Sequence, residues 1–377
     1  MNKKMIRSIV CMLIAALLLF AGCSQSPASS EEPAPSSQGS APSSEAQPSS
    51  EAQPSSEAQP SSAEPEPSSE PEPASDPVSA VQVNVMVLSG TTGFGMASLM
   101  DQAANGNASL AYNFSVETDA SNVTAALVNG TVDIAALPTN AASALYNKTQ
   151  GGVQLLALNT LGVLYLVQNG GDSVASFEDL KGKTVYAPAQ NPTFIFSYLC
   201  EKNGLKVGED VIIDNSYAQP ADLRTALASG EVELAVLPEP MVTIAKSASE
   251  DVTVAMDLTQ EWDHVSPVGS LVQGCIVVRS EFAKEHTAEI SAFLKEYQAS
   301  IEALLADPAG VSVMIEKAGI FNKAAVAQKA IPNCNVCFIA GEEMKERMNA
   351  FLNIMFETAP QSIGGAIPGD DFYYIEG

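Results

Sequence analysis

Residues 123–139 read VTAALVNGTVDIAALPT, and residues 223–239 read LRTALASGEVELAVLPE. Aligned without a gap, thirteen of these positions agree in kind, one hundred residues apart. Each stretch predicts an amphipathic helix, a glycine stop (Gly130, Gly230), a short buried strand and a Leu-Pro terminator. Helix–Gly–strand units recur in any α/β protein. The shared terminal Leu-Pro, with polar Thr139-Asn140 after one copy and Glu239-Pro240 in the other, goes beyond that background. The reading is two α/β lobes built from corresponding parts.

Working outward, residues 81–88 alternate and then become continuously apolar, a strand signal stopped by Ser89-Gly90-Thr91-Thr92-Gly93. A helix is expected from there to about Asn105-Gly106, and a strand over 112–117. Two long apolar stretches, 162–167 and 271–278, bracket a segment with its own α/β set. That segment holds a turn-helix at 176–183, strands at 184–187 and 211–214, and a helix over 194–203 closed by Gly204. An inserted lobe is reached by two chain crossings, so the two bracketing strands are the expected hinges. Beyond Arg279 the chain reads as mostly helical. Ile290, Phe293, Leu294, Tyr297, Ile301 and Leu304 form one apolar stripe, and Met344, Met348, Phe351, Leu352 and Met355 another; both read as core.

The first eighty residues differ in kind. A short basic start (Lys3, Lys4, Arg7) precedes an apolar run over 9–20, too short to span a bilayer and suited to a signal peptide. It ends in Leu19-Phe20-Ala21-Gly22-Cys23, which resembles a bacterial lipobox with the leucine one place early. Lipidation is expected at Cys23, and palmitate is among the acyl groups such a cysteine carries. From there to residue 80 the chain is almost entirely Ser, Pro, Ala, Gln and Glu, with Ser-Ser-Glu-Ala-Gln-Pro in tandem at 43–48, 49–54 and 55–60. This composition cannot bury a core and reads as an extended, disordered tether. The expected division is a signal peptide at 1–22, anchor and tether at 23–80, lobe I at 81–163, lobe II at 164–271, and a lobe I return with C-terminal helices at 272–377.

Charge and chemistry narrow the function. The chain of 377 residues carries a net charge of −26. Residues 81–377 hold 34 acids and 15 bases, which opposes nucleic-acid binding. The only histidines are His264 and His286, and no nucleophile elbow, phosphate loop or clustered metal set is legible. Cys334-Asn-Val-Cys337 has redox or zinc spacing without a second pair to complete it. Disulfides among Cys200, Cys275, Cys334 and Cys337 remain open outside the cell. The expectation is no catalytic residue, no metal and no cofactor.

Ligands of open α/β sheets bind where strands end and helices begin. That rule selects Gly90, Thr91 and Thr92, then Thr139 and Asn140, then Asn159 and Thr160 in lobe I. In lobe II it selects Gln190, Asn191 and Glu239, with Glu239 favouring an amine or ring N–H. Trp262, in the polar run Glu261-Trp262-Asp263-His264, is a candidate lid or cleft residue.

The lipobox, the tether, Phe177-Glu-Asp-Leu-Lys-Gly-Lys-Thr-Val-Tyr186, the run from Gly230 to Pro240 and the helical tail together resemble substrate-binding lipoproteins of ABC transporters. The branch resembled is the sulfonate/nitrate/taurine and thiamine-pyrimidine-precursor group. The resemblance implies a two-lobed α/β clamp of the periplasmic-binding-protein-like type II fold. It also implies a monomer on the outer face of the cytoplasmic membrane, handing a small solute to a permease and ATPase. Two alternatives share the fold: a bilobed enzyme (menaquinone-pathway dehydratase or pyrimidine synthase type) and a sensory or adhesive lipoprotein. The tether's composition leads to a first expected outcome. A chain shortened to begin near Ser79 should keep its cooperative thermal melt and its solute affinity; loss of either would show that part of the tether packs on the domain.

Overall fold

The computed structural model describes residues 81–170 and 174–375. The expected signal peptide, lipidated Cys23 and tether lie outside these residues.

Among the described residues, eleven strands build two sheets. Strands β1 (Gln82–Leu88), β2 (Ala111–Glu117), β3 (Ile134–Pro138) and β4 (Val153–Thr160) open the first lobe. The second lobe holds β5 (Leu164–Asn169), β6 (Thr184–Tyr186), β7 (Ile212–Asp214), β8 (Leu234–Pro238) and β9 (Val252–Asp257). The chain then returns with β10 (Gly274–Arg279) and β11 (Val336–Ile339). The sheet orders are β11-β4-β10-β3-β1-β2 and β7-β6-β8-β5-β9.

The repeat seen in the sequence is a repeat of position. Strand β3 has β1 parallel on one side and β10 antiparallel on the other. Strand β8 likewise lies between parallel β6 and antiparallel β5. Leaving aside β11, the two sheets share one order, and in each the single antiparallel strand is the one that has just crossed from the other lobe. Both repeat strands are apolar over four consecutive buried residues, as expected of strands covered on both faces. The helix before β3, Ala120–Asn129, is capped by the Asp119 side chain and ends at Gly130 in the left-handed region. Its counterpart Pro220–Ala228 starts on proline and stops at Ser229, with Gly230 one residue further on. After each Leu-Pro the chain turns straight into a helix, Thr139–Thr149 in one lobe and Met241–Ala248 in the other.

The hinges are shorter than the sequence suggested. Pairing begins at Leu164 and Gly274, so most of 162–167 and 271–278 lies inside the sheets. The crossings are the unpaired stretches 161–163 and 266–273. Hydrogen bonds fasten them together. Val163 N–H donates to the Gln273 side-chain oxygen at 2.7 Å. Gln273 N–H donates to Thr160 O at 2.9 Å, and Leu161 N–H to Asn335 O at 3.0 Å. Asn335 closes the group by donating its side-chain N–H to Gly162 O at 2.6 Å. Both C-terminal stripes are buried as expected. The helix Gly341–Thr358 lies against both lobes: Phe351 meets the Trp262 ring at 6.0 Å, Arg347 donates to Gly269 O at 3.3 Å, and Asn349 Oδ1 accepts at 2.7 Å from Tyr373, which is bridged to Leu155 of β4.

Gly162 is where the crossing is tightest. A Cβ there would sit 2.1 Å from Thr259 Oγ1 and 2.8 Å from a Leu271 methyl. Overfilling a packed site costs about 1–3 kcal/mol. Gly162→Ala should therefore lower unfolding stability by about that amount in urea titration; a stability equal to the parent chain would contradict this packing.

Candidate functional site

Four loops at strand ends meet along the seam between the lobes. From lobe I come the turn after β1 and the start of the helix after β3. From lobe II come the loop after β6 and the start of the helix after β8.

The first turn is made possible by Gly90, whose φ of 92° and ψ of −158° are closed to other residues. Ser89 Oγ and Gly90 N–H both donate to Ile320 O, at 2.8 and 3.2 Å, which anchors the turn to the lobe I tail. Thr91 Oγ1 then donates across the seam to the main-chain oxygen of Glu239 at 2.9 Å. Thr92 keeps its side chain half-buried, and its carbonyl accepts from Asn159 Nδ2 at 2.9 Å. Asn159 also donates to Tyr297 Oη at 3.0 Å and accepts from Thr160 Oγ1 at 3.1 Å. Asn159 and Thr160 thus brace the turn from below.

At the second loop, Thr139 faces the hinge. Its Oγ1 donates to Val272 O at 2.7 Å, and its N–H to Gln273 O at 3.2 Å. Asn140, 9% exposed, looks across the seam, where its Oδ1 accepts from Asn191 Nδ2 at 2.8 Å. Asn191 opens the helix Asn191–Lys202, and Gln190 precedes it with a positive φ of 72°. Gln190 is exposed and lines a groove along helices Ala120–Asn129 and Thr139–Thr149 of lobe I. The Asn140–Asn191 bond therefore joins the first turns of two helices, one from each lobe. Unpaired N–H groups at such ends carry partial positive charge.

Glu239 is placed differently from its expectation. Its carboxylate accepts from Thr243 N–H at 3.1 Å and Thr243 Oγ1 at 3.0 Å, capping its own helix. The side chain lines a cavity of about 470 Å³ with Tyr165, Lys246, Asp257, Lys329 and Asn333. Burial raises its pKa, against lowering contributions from Thr243, Asn333 and Lys246. What Glu239 presents across the seam is its backbone carbonyl.

Trp262 departs further from the sequence reading. It is fully buried, its indole N–H donates to Ser270 Oγ at 2.8 Å, and its ring lies between Tyr198 and Phe351. An indole with both its polar group and its faces engaged acts as core beside the second crossing, in place of a lid. Sequence reasoning also missed the turn at 331–335. Tyr165 Oη of lobe II donates to Asn333 O at 2.9 Å, so this turn adds a third contact between the lobes. Its signal was the Cys334–Cys337 spacing, which marks the entry to edge strand β11. All four described cysteines are free. Burial pushes the Cys200 and Cys337 thiols up to about 12 and also raises Cys275 and Cys334. Among the described residues no group of three or more His, Cys, Asp or Glu is placed to hold a metal ion. No described helix is long and apolar enough to cross a membrane.

Comparison with known proteins gives this geometry a setting. Residues 107–311 match the family model described as NMT1/THI5 like, more than half of the chain. No curated protein matches. Among solved structures, an ABC transporter protein from Parabacteroides distasonis is 22% identical with a TM-score of 0.67, covering 78% of this chain and 99% of that one. The periplasmic aliphatic sulphonate-binding protein SsuA of Escherichia coli is 14% identical with a TM-score of 0.62, covering 76% and 91%. The ligand-binding component of an ABC-type import system from Staphylococcus aureus, solved with zinc bound, is 14% identical with a TM-score of 0.60, covering 78% and 96%. At these identities the likeness is one of fold. With its two sheets of matching order, its paired crossings and this family match, the chain belongs to the NMT1/THI5-like family and has the two-lobed fold of periplasmic solute-binding proteins.

Proposed function

We propose that this protein is the extracytoplasmic, lipid-anchored solute receptor of an ABC importer. In this reading it closes two lobes over a small organic solute and delivers it to the permease. The observation that carries the proposal is the pair of bonds across the seam, Thr91 to Glu239 O and Asn140 to Asn191. Each links groups that begin helices or end strands in opposite lobes, where a clamp holds its ligand.

Apart from the Tyr165–Asn333 bond, which lies beside the first crossing, the two neutral hydrogen bonds of the seam contribute roughly 0.5–1.5 kcal/mol each. They bias the lobes toward closure by a factor on the order of 5 to 150. A bias of that size leaves an open population for solute to enter. A solute that contacts both lobes then shifts the balance by its preference for the closed form. Thr91, Thr92, Thr139, Asn140, Gln190 and Asn191 supply hydroxyls, amides and helix N-terminal N–H groups at this seam. Asn159 and Thr160 act by holding the first turn in shape.

The receptor reading is preferred to a bilobed enzyme because Glu239, the one acid of the seam loops, holds its carboxylate on Thr243 and turns its backbone carbonyl to the seam. The four described thiols are held protonated by burial.

Two outcomes test this reading. Mass spectrometry should identify a solute that co-purifies with the protein. Calorimetry with that solute should show Asn140→Ala weakened by roughly 5- to 150-fold, the equivalent of a lost buried hydrogen bond. The solute-free melting temperature should stay close to that of the parent. Undiminished affinity would place the solute elsewhere. Separately, Cys23→Ala should abolish fatty-acid labelling and release the protein from membranes; unchanged labelling would remove the anchor from the account.

A further inference from the structure

The hundred-residue repeat extends to the two turns that reach across the seam. After β1 the chain turns at Gly90 into the helix Thr91–Phe94, and after β6 it turns at Gln190 into the helix Asn191–Lys202. The residue that follows each turn makes a bond between the lobes, Thr91 to Glu239 O and Asn191 to Asn140 Oδ1. The two turns also share a backbone conformation, with φ 92° and ψ −158° at Gly90, φ 72° and ψ −131° at Gln190. That region belongs to glycine, because a Cβ there crowds the neighbouring backbone. Lobe I fills the position with glycine. Lobe II fills it with a glutamine, whose backbone is therefore strained.

Two kinds of restraint hold Gln190 in this shape. Within lobe II, Thr193 Oγ1 donates to Pro188 O at 2.8 Å, and Phe194 N–H donates to Gln190 O at 3.0 Å. Asn215 Nδ2 adds bonds to Ala187 O at 2.9 Å and to Thr193 Oγ1 at 2.7 Å. These bonds fix the two ends of the turn and stay with lobe II when the lobes part. The restraint on its middle comes from lobe I. Asn191 is bonded to Asn140, and the Gln190 side chain lines the groove along helices Ala120–Asn129 and Thr139–Thr149. That side chain is exposed and makes no capping bond to offset the strain. Opening the seam removes both lobe I restraints, and the Ala189–Gln190 peptide can then turn over and return φ to negative values. The Gly90 turn differs, since Ser89 and Gly90 are tied to Ile320 O of their own lobe.

We propose that Gln190 is a spring in the clamp: closing the seam drives its backbone into a glycine conformation, and relief of that strain on opening favours release of the solute. This rests on the solute-receptor reading above and adds a regulatory element to the same seam. A residue held in such a region shifts a two-state balance by roughly 5- to 150-fold. That is the size of the bias from the two seam bonds, with the opposite sign. The solute-free lobes are therefore poised between open and closed, and contacts with the solute decide the outcome.

The test uses the full chain without solute. A donor and an acceptor dye are attached through non-natural residues at Val207 of lobe II and Val313 of lobe I, both exposed and outside the seam loops. Single-molecule energy transfer then counts the open and closed populations. Gln190→Ala removes the side chain and keeps the strain, whereas Gln190→Gly removes both. The closed-to-open ratio should be roughly 5- to 150-fold higher in Gln190→Gly than in Gln190→Ala. Glycine's larger freedom in the open form works against this shift and cannot produce it. Two populations in the same ratio in both variants would show that the strain persists on opening, and would overturn the inference while leaving the clamp intact. A single population in the parent chain and in both variants would count against the hinged receptor and the inference together.

Discussion

Gln273 holds the two halves of this molecule in register. Its side-chain oxygen accepts from Val163 on the first crossing, its N–H donates to Thr160 at the end of β4, and its carbonyl accepts from Thr139. One residue on the second crossing thereby fixes the first crossing, the end of a lobe I strand and the start of a seam helix. Two chain passages joined this closely leave few degrees of freedom besides rotation about the passages. Gly162, pressed against Thr259 and Leu271, tightens the same point from the other side. The start of the helix after β3 is placed by that fastening, since Thr139 is bonded to both Val272 O and Gln273 O.

The contrast between hinge and seam is one of stored free energy. The hinge is buried among Trp262, Leu271, Val272 and Phe351, which belong to one continuous apolar cluster. Burying side chains of that size contributes about 1.5–3 kcal/mol each, so the cluster keeps the lobes attached. The seam in front is closed by single neutral hydrogen bonds between Thr, Asn and backbone groups. A large apolar term at the back and a small polar term at the front fit the clamp proposed above, in which the weak side is the one a solute's contacts would outweigh. A seam lined with leucines would close without a ligand and stay closed.

The architecture was legible because burial on both faces writes continuous apolar runs. IAALP and LAVLP read as central strands before any coordinates, and their equal flanks revealed the repeat. The apolar stripes of the helical tail were legible for the same reason. The hinges were not, since 162–167 and 271–278 continue their apolar runs across the point where pairing begins. Side-chain direction at the strand ends was also hidden. Glu239 looked like a cleft carboxylate, but its position two residues before Met241 lets it reach Thr243 and cap its own helix. Trp262 sat in a polar sequence because it occupies the inner face of a short helix whose outer face is charged. Asn140 and Asn191 were found by the strand-end rule, yet their mutual bond depends on how two lobes meet, and no local pattern encodes that.

The central claim is that the lobes move as two bodies about the crossings at 161–163 and 266–273. It is tested most directly by the distance between spin labels on cysteines introduced at Val128 and Val207, both on exposed surface, one in each lobe. Pulsed electron resonance should give two distance populations for the solute-free chain and a single narrowed one with the co-purifying solute at saturation. One unchanged distance under both conditions would contradict a hinged clamp.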